Sequence, residues 1–133
     1  MLGDPQVRAW LKTVDEDLRA IRACLGAPEP AIAAAAFHCQ QAAEKLVKTL
    51  IAAAGGDPPR IHDIEALIER LPPEHPLQPR LRPFMHLSAL LHTTRYPGPS
   101  PFMELEIPTA DEVASWLAEI EAMRAAVEEY LGQ

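Results

Sequence analysis

Hydrophobic residues recur along much of the chain at the alternating three- and four-residue steps of an amphipathic α-helix. The first such series consists of Val7, Leu11, Val14, Leu18, Ile21 and Leu25. A later series consists of Val113, Trp116, Leu117, Ile120, Val127 and Leu131. No stretch alternates apolar and polar residues as a half-buried strand would. The pattern therefore predicts an all-α fold.

The 14 prolines divide this pattern into helical segments. Proline is tolerated in the first turn of a helix but breaks its interior, so the proline-free windows predict the helix bodies. The predicted helices run near 5–25, 31–54, 61–71, 80–96 and 109–131. Thr109 and Glu112 stand at the spacing of a capping box, which supports the start of the last helix. Short connections favour an up-and-down bundle of four to five helices, with residues 1–133 forming a single domain.

The composition excludes several classes of protein. Hydrophobic residues make up 48% of the chain and charged residues 23%, which is typical of a globular domain. No apolar run is long enough for a membrane span, and the first residues lack the basic and apolar segments of a secretory signal. Cys24 and Cys39 lack metal-binding spacing, so we expect them to be small core residues. These features predict a cytoplasmic protein without membrane contact.

The distribution of charge argues against a broad nucleic-acid-binding surface. The chain has 12 basic and 19 acidic residues and a net charge of −7. Proteins that grip nucleic acid over a wide face are usually basic. Residues 60–95 are the exception, because they hold five Arg against four acidic residues and four of the five His. We therefore expect any anion site to be local and to involve this segment.

Three short motifs narrow the fold further, and they resemble those of the HEPN family. The segment 36–48 contains Gln-Gln-Ala-Ala-Glu-Lys followed by a second lysine, which resembles the second helix of that family. His62-Asp63-Ile64 is similar to its HD element, and Arg95-Tyr96-Pro97 is similar to its RYP element. The acidic segment 15–17 beside Leu18, with Trp10 before it, is similar to the family's first helix. The resemblance covers residues 5–131.

The resemblance implies a dimeric helical bundle that binds nucleotides. Many HEPN proteins work with a separately encoded minimal nucleotidyltransferase, some as toxin–antitoxin pairs, and this is the leading hypothesis for the present chain. The residues expected to face a nucleotide or the partner are Gln41, Glu44, Lys45, Lys48, His62, Arg95 and Tyr96.

Simpler structural roles exist for several of these residues. Glu44 and Lys48 form an i,i+4 pair that is typical of a helix surface. Asp63 is placed to cap the third helix, and His62 is placed to hydrogen-bond within the bundle. Arg95 is expected at a helix end, where a cation complements the helix dipole.

Other HEPN proteins are metal-independent RNase toxins that use an Arg followed, after four to six residues, by a His. No His follows Arg95 in this chain. Arg70 with His75 and Arg80 with His86 match the spacing, but each pair spans at least one proline. An RNase with a degenerate motif is therefore the first alternative. Its candidate residues would be Arg80 or Arg95 with His86 or His92.

Beyond these pairs, the sequence contains no convincing catalytic constellation, so we expect a binding module rather than an independent enzyme. His86 and His92 are six residues apart, which does not suit a shared metal ion on a helix, and no glycine-rich phosphate loop is present. We therefore expect neither a metal nor a cofactor. The proline-rich stretch 96–108 is expected to be an extended strap over the bundle. A second alternative is a purely structural dimerisation module.

Overall fold

The structure, a computed structural model, describes residues 1–89 and 108–133. This part of the chain contains helices and no strand, which confirms the predicted all-α fold. The α-helices are α1 Pro5–Gly26, α2 Ile32–Ala53, α3 Ile64–Ile68, α4 Gln78–Leu81 and α5 Ala110–Leu131. A 3-10 helix, Arg82–Ala89, continues directly from α4. None of the helices in the two described ranges combines the length and the apolar character that crossing a bilayer requires.

Helices α1 and α2 lie antiparallel and pack together more extensively than any other pair of described helices. Trp10, near the start of α1, lies beside Lys48, near the end of α2, whereas Asp17 contacts Lys45 and His38 farther along. The alanines of α2 favour helix formation and let the neighbouring helices approach closely. At the start of α1, the side chain of Asp4 accepts a hydrogen bond from the backbone N–H of Gln6.

Helix α2 is the centre of the fold. Fourteen of its 22 residues are buried, whereas six of 22 are buried in α1 and six of 22 in α5. Its large apolar side chains meet those of α1, α3 and α5 in one continuous core. Among residues 1–89 and 108–133, the largest fully buried apolar side chains are Ile21, Leu46, Leu50, Ile64, Leu67, Ile68, Leu81, Leu87, Ile120 and Leu131.

Helix α5 is held against α1 by ion pairs as well as by apolar contacts. The predicted capping box is present, since Thr109 Oγ1 accepts from the N–H of Glu112 and Glu112 Oε1 accepts from the N–H of Thr109. Arg22 then pairs with Glu121 at 3.1 Å, and Arg124 pairs with Asp15 at 2.9 Å. The helices are therefore antiparallel, because Arg22 follows Asp15 in α1 whereas its partner Glu121 precedes Arg124 in α5.

The predicted bounds of the third and fourth helices were wrong. Helix α3 begins at Ile64 rather than 61, because Asp63 caps it by accepting hydrogen bonds from two backbone N–H groups, and it ends at Ile68. In the described part of the predicted helix 80–96, an α-helical turn is followed by a 3-10 helix that reaches Ala89. Pro83 lacks a backbone N–H, and its ring would clash with the carbonyl four residues earlier in a continuing α-helix, so the α-helical turn ends before it. Residues 90–96 and the predicted strap, apart from Pro108, lie outside the described residues.

Candidate functional site

The carboxylate of Glu44 is the centre of a buried polar cluster on α2. Its side chain is 3% exposed and accepts hydrogen bonds from Lys48 at 2.8 Å and from Gln40 at 2.9 Å. Nδ1 of His62 lies 3.0 Å from Oε1 of the same carboxylate. Gln41 joins through its amide, which donates to the side-chain oxygen of Gln40 at 2.6 Å. These five residues are called the Glu44 cluster below.

Local structure explains how the sequence assembles this cluster. Gln40, Glu44 and Lys48 follow one another at four-residue steps, so their side chains lie along one face of α2. His62 comes from the turn before α3, and its carbonyl oxygen accepts a second bond from Gln40 at 3.2 Å. The capped start of α3 thereby fixes His62 beside α2. The predicted hydrogen bond of His62 within the bundle is present.

The Glu44–Lys48 pair is buried, in contrast to the helix-surface pair that the spacing suggested. The Lys48 side chain is 9% exposed, and its ammonium group lies 5.8 Å from the centroid of the Trp10 ring. A cation above an aromatic face gains further electrostatic stabilisation. The four-residue spacing correctly predicted that Glu44 pairs with Lys48. It did not predict the burial, which arises because α1 and the turn before α3 cover this face of α2.

A second buried carboxylate, that of Asp17 in α1, contacts α2 beside the Glu44 cluster. Its side chain is 8% exposed, and it accepts from Lys45 at 2.7 Å and contacts Nδ1 of His38 at 2.8 Å. Asp17, His38 and Lys45 are called the Asp17 cluster below. Lys45 therefore contacts α1, whereas the neighbouring Glu44 contacts Lys48 and His62.

Asp17, His38 and Gln40 are polar residues of the site that the sequence analysis did not select. One signal was present for Asp17, because it lies three residues after Val14 and four before Ile21, on the apolar side of α1. Gln40 had a weaker signal, its four-residue step to Glu44. The contact of His38 with Asp17 depends on how α1 and α2 pack, so the spacing of residues within either helix does not predict it.

The two clusters have the same donor arrangement. In each, a buried carboxylate binds one lysine and Nδ1 of one histidine. An ionised carboxylate only accepts hydrogen bonds, so Nδ1 carries a proton in each ring and Nε2 is the nitrogen left for another partner. Two lysines balance two carboxylates, so the combined surface is formally neutral while both imidazoles are neutral. Every buried side-chain nitrogen and oxygen in the described ranges has a hydrogen-bond partner.

Arg95 and Tyr96, the remaining predicted site residues, lie outside the described residues, as does His92. The structure therefore brings together Gln41, Glu44, Lys48 and His62, and it places Lys45 in the adjoining Asp17 cluster.

The two described histidines at RNase-like spacing from an arginine bond backbone groups instead. His75 is buried, its Nδ1 accepts from the N–H of Leu77 at 3.1 Å, and its ring packs against Tyr130. Burial lowers the pKa of His75 below its ordinary value. His86 is exposed and donates from Nδ1 to the carbonyl oxygen of Pro83 at 2.7 Å. Within residues 1–89, no hydrogen bond joins Arg70 to His75 or Arg80 to His86.

The two cysteines are free thiols, and one of them is inaccessible. Cys39 is fully buried, and desolvation raises its thiol pKa to about 12, whereas Cys24 is half-buried. Among residues 1–89 and 108–133, no three His, Cys, Asp or Glu side chains are grouped as metal ligands would be.

Comparison with known proteins assigns the helical bundle to a family. The family model described as "HEPN domain" matches residues 7–130, which spans α1 to α5. No curated protein and no solved structure gave a significant match. The match includes all the residues of the Glu44 and Asp17 clusters. The chain therefore belongs to the HEPN domain family.

Proposed function

We propose that this chain is a nucleotide-binding and partner module that forms a homodimer and works with a separately encoded minimal nucleotidyltransferase, as part of a toxin–antitoxin pair. The observation that supports this best is the fixed position of His62. Its imidazole is half exposed, with the side chain 49% accessible, while the buried carboxylate of Glu44 orients it through Nδ1. The oriented ring presents Nε2 as a hydrogen-bonding group for a ligand.

Polar atoms beside His62 supply further recognition groups. The amide nitrogen of Gln41 donates within the cluster, so its side-chain oxygen is the group that can accept from a base edge. The ammonium group of Lys45 uses one contact with Asp17 and retains donors for a phosphate or a partner's carboxylate. A mixed set of acceptors and donors suits a nucleotide better than it suits a long polyanion, because the combined surface is formally neutral.

The described Arg–His pairs favour binding over RNA cleavage. A general base must lie within hydrogen-bond reach of its target proton. His75 is buried and already bonded to the backbone. The exposed His86 bonds the carbonyl of Pro83 through Nδ1, and no arginine side chain bonds its ring within the described residues. Neither histidine is oriented by an arginine in the part of the chain that the structure describes, so the RNase alternative has no supporting contact there.

Thermal unfolding with added nucleotides tests the binding part of this proposal. A ligand at 100 times its Kd stabilises the folded state by about 2.7 kcal/mol, which corresponds to ~10 °C in Tm for a chain of this size. We expect such a rise with at least one nucleoside triphosphate, and we expect it to disappear in Gln41→Ala/His62→Ala. His86→Ala is the control and should respond like the wild type.

Co-purification tests the partner. The tagged chain, expressed in its own source cell, should recover a small nucleotidyltransferase in a stoichiometric amount, and it should elute as a dimer when isolated alone. Metal-independent cleavage of RNA that is lost in His86→Ala would contradict the binding role and establish the RNase alternative. Recovery of a dimer without any nucleotide response or partner would instead favour the structural dimerisation module.

A further inference from the structure

A cleft between α1 and α5 has features of a second ligand site, and its lining contains no residue of the Glu44 cluster. Its volume is about 360 Å³, which falls at the small end of the range for ligand pockets. Arg8, Leu11 and Lys12 line it from α1, and Arg124 and Glu128 line it from α5. Trp10 and Asp17, whose side chains contact lysines of α2, are not among its lining residues.

Two cations at the edge of this cleft have no counter-ion in the described part of the chain. Arg8 and Lys12 are four residues apart, so their side chains extend from the same face of α1, and both are exposed. Neither side chain takes part in an ion pair or a hydrogen bond with residues 1–89 or 108–133. They are therefore available to bind an anion together.

The α5 side of the cleft is held in place because three nitrogens of Arg124 bond carboxylates. Its Nε lies 2.9 Å from Oδ1 of Asp15 and its Nη2 lies 3.2 Å from Oδ2, while Nη1 donates to Glu128. The hydrogen bonds that Arg124 donates to the carboxylate of Asp15 raise the pKa of Arg124, which keeps the guanidinium charged. A wall held in this way loses little conformational entropy when a ligand binds.

The charge of the cleft differs in sign from that of the whole chain. Arg8, Lys12 and Arg124 supply three positive charges, and Asp15 and Glu128 supply two negative charges, so the lining carries +1. Both carboxylates are already bonded to Arg124, which leaves the positive side of the cleft uncompensated. In a chain with a net charge of −7, such a local excess favours a small anion over an extended one.

Apolar groups complete the lining. Leu11 is buried, and Leu2 is half-buried, with its Cδ1 packed near Gly132 at the end of α5. We propose that the cleft binds a small phosphorylated molecule of mononucleotide size. The phosphate lies between Arg8 and Lys12, where the guanidinium fork and the ammonium group both donate to its oxygens, and the ring or other apolar part lies on Leu2 and Leu11. This site is independent of the proposed role of the Glu44 cluster.

Isothermal titration of the full chain with AMP, inorganic phosphate and adenosine tests the assignment. We expect AMP to bind most tightly, phosphate more weakly because it lacks the apolar part, and adenosine not at all. The variant Arg8→Ala/Lys12→Ala should weaken AMP binding about tenfold or more, since it removes both charge-assisted contacts. Both side chains are exposed, so this variant is expected to fold, which its circular dichroism and Tm will show.

The matched control is Arg19→Ala/Arg60→Ala. It also removes two positive charges from exposed side chains, but neither residue lines the cleft. It should bind AMP like the wild type. An equal loss in both double variants would show a general charge effect and overturn the site. Absence of AMP binding to the wild type would overturn it as well. Binding that depends on His62 and not on Arg8 and Lys12 would also overturn this site while supporting the proposed function of the Glu44 cluster.

Discussion

The ammonium group of Lys45 lies 2.7 Å from Oδ2 of Asp17, and this contact joins the middle of α2 to the middle of α1. His38 occupies the other oxygen of the same carboxylate at 2.8 Å. Since Asp17 is buried, sliding one helix along the other would leave a desolvated charge without its partners. The carboxylate therefore contributes to the register of the two helices.

Replacing Asp17 with Asn should lower the free energy of unfolding by about 2 kcal/mol, because Lys45 would lose its counter-ion in a mostly buried position. Urea unfolding measures this difference. Glu16→Gln removes a neighbouring charge that is exposed and should change the stability by less than about 0.5 kcal/mol. Equal effects of the two variants would show that Asp17 is not a packing constraint.

The Glu44–Lys48 pair should behave as a buried ion pair rather than as a surface pair. Glu44→Gln leaves the Lys48 ammonium group buried without compensation, and we expect a loss of about 3 kcal/mol or more. Replacing both residues with Leu should recover much of that loss, because the unpaired charge is removed along with its partner. A double-mutant cycle by urea unfolding gives the coupling energy. A coupling near zero would contradict the buried contact.

His75 should make the stability depend on pH. Burial lowers its pKa in the folded state below the ordinary value of 6.5, so below pH 6.5 the unfolded chain binds a proton that the folded chain does not. This contribution is fully present above pH 6.5 and is lost as the pH falls towards the folded-state pKa. Thermal unfolding between pH 7.5 and 5 should therefore give a shallower decline in Tm for His75→Asn than for the wild type. His86→Asn, at an exposed position, should retain the wild-type slope, and an equal slope in all three proteins would refute the assignment.

Cys39 should resist alkylation in the folded protein. Its buried thiol has a pKa raised to about 12, and the reactive thiolate is therefore scarce at pH 8. In a Cys24→Ser variant, iodoacetamide should add no group to the native protein and one group in urea, as measured by mass spectrometry. Rapid labelling of the native variant would show that the α1–α2 interface opens readily.

The three long helices could be predicted to within one residue at each end because their limits are set locally. Pro5 and the glycines after α2 act through their own backbone, and Thr109 acts through a side-chain hydrogen bond within the first turn of α5. Gly55, for example, adopts a φ of 88°, which glycine tolerates and other residues disfavour. The short helices could not be placed as well, since Pro83 and the capping by Asp63 shift boundaries that the apolar spacing alone leaves open.

The candidate site shows a similar division. The Glu44–Lys48 contact follows from a four-residue step and could be predicted, but its burial depends on which helix covers that face. Asp17 is brought to His38 and Lys45 by the packing of two helices, and the spacing within α1 contains no information on that register. The burial of the polar residues on α2 is the main property of the site that the sequence alone does not predict.

The central position of α2 has a consequence for the evolution of this chain. Apolar contacts occupy one side of the helix and the two carboxylate clusters occupy another, so few of its positions face water alone. A surface helix can accept random replacements on its outer face, whereas most replacements in α2 disturb either close packing or a charge balance. Sequence drift should consequently concentrate on the outer faces of α1 and α5, and α2 should change slowly even where no ligand contacts it.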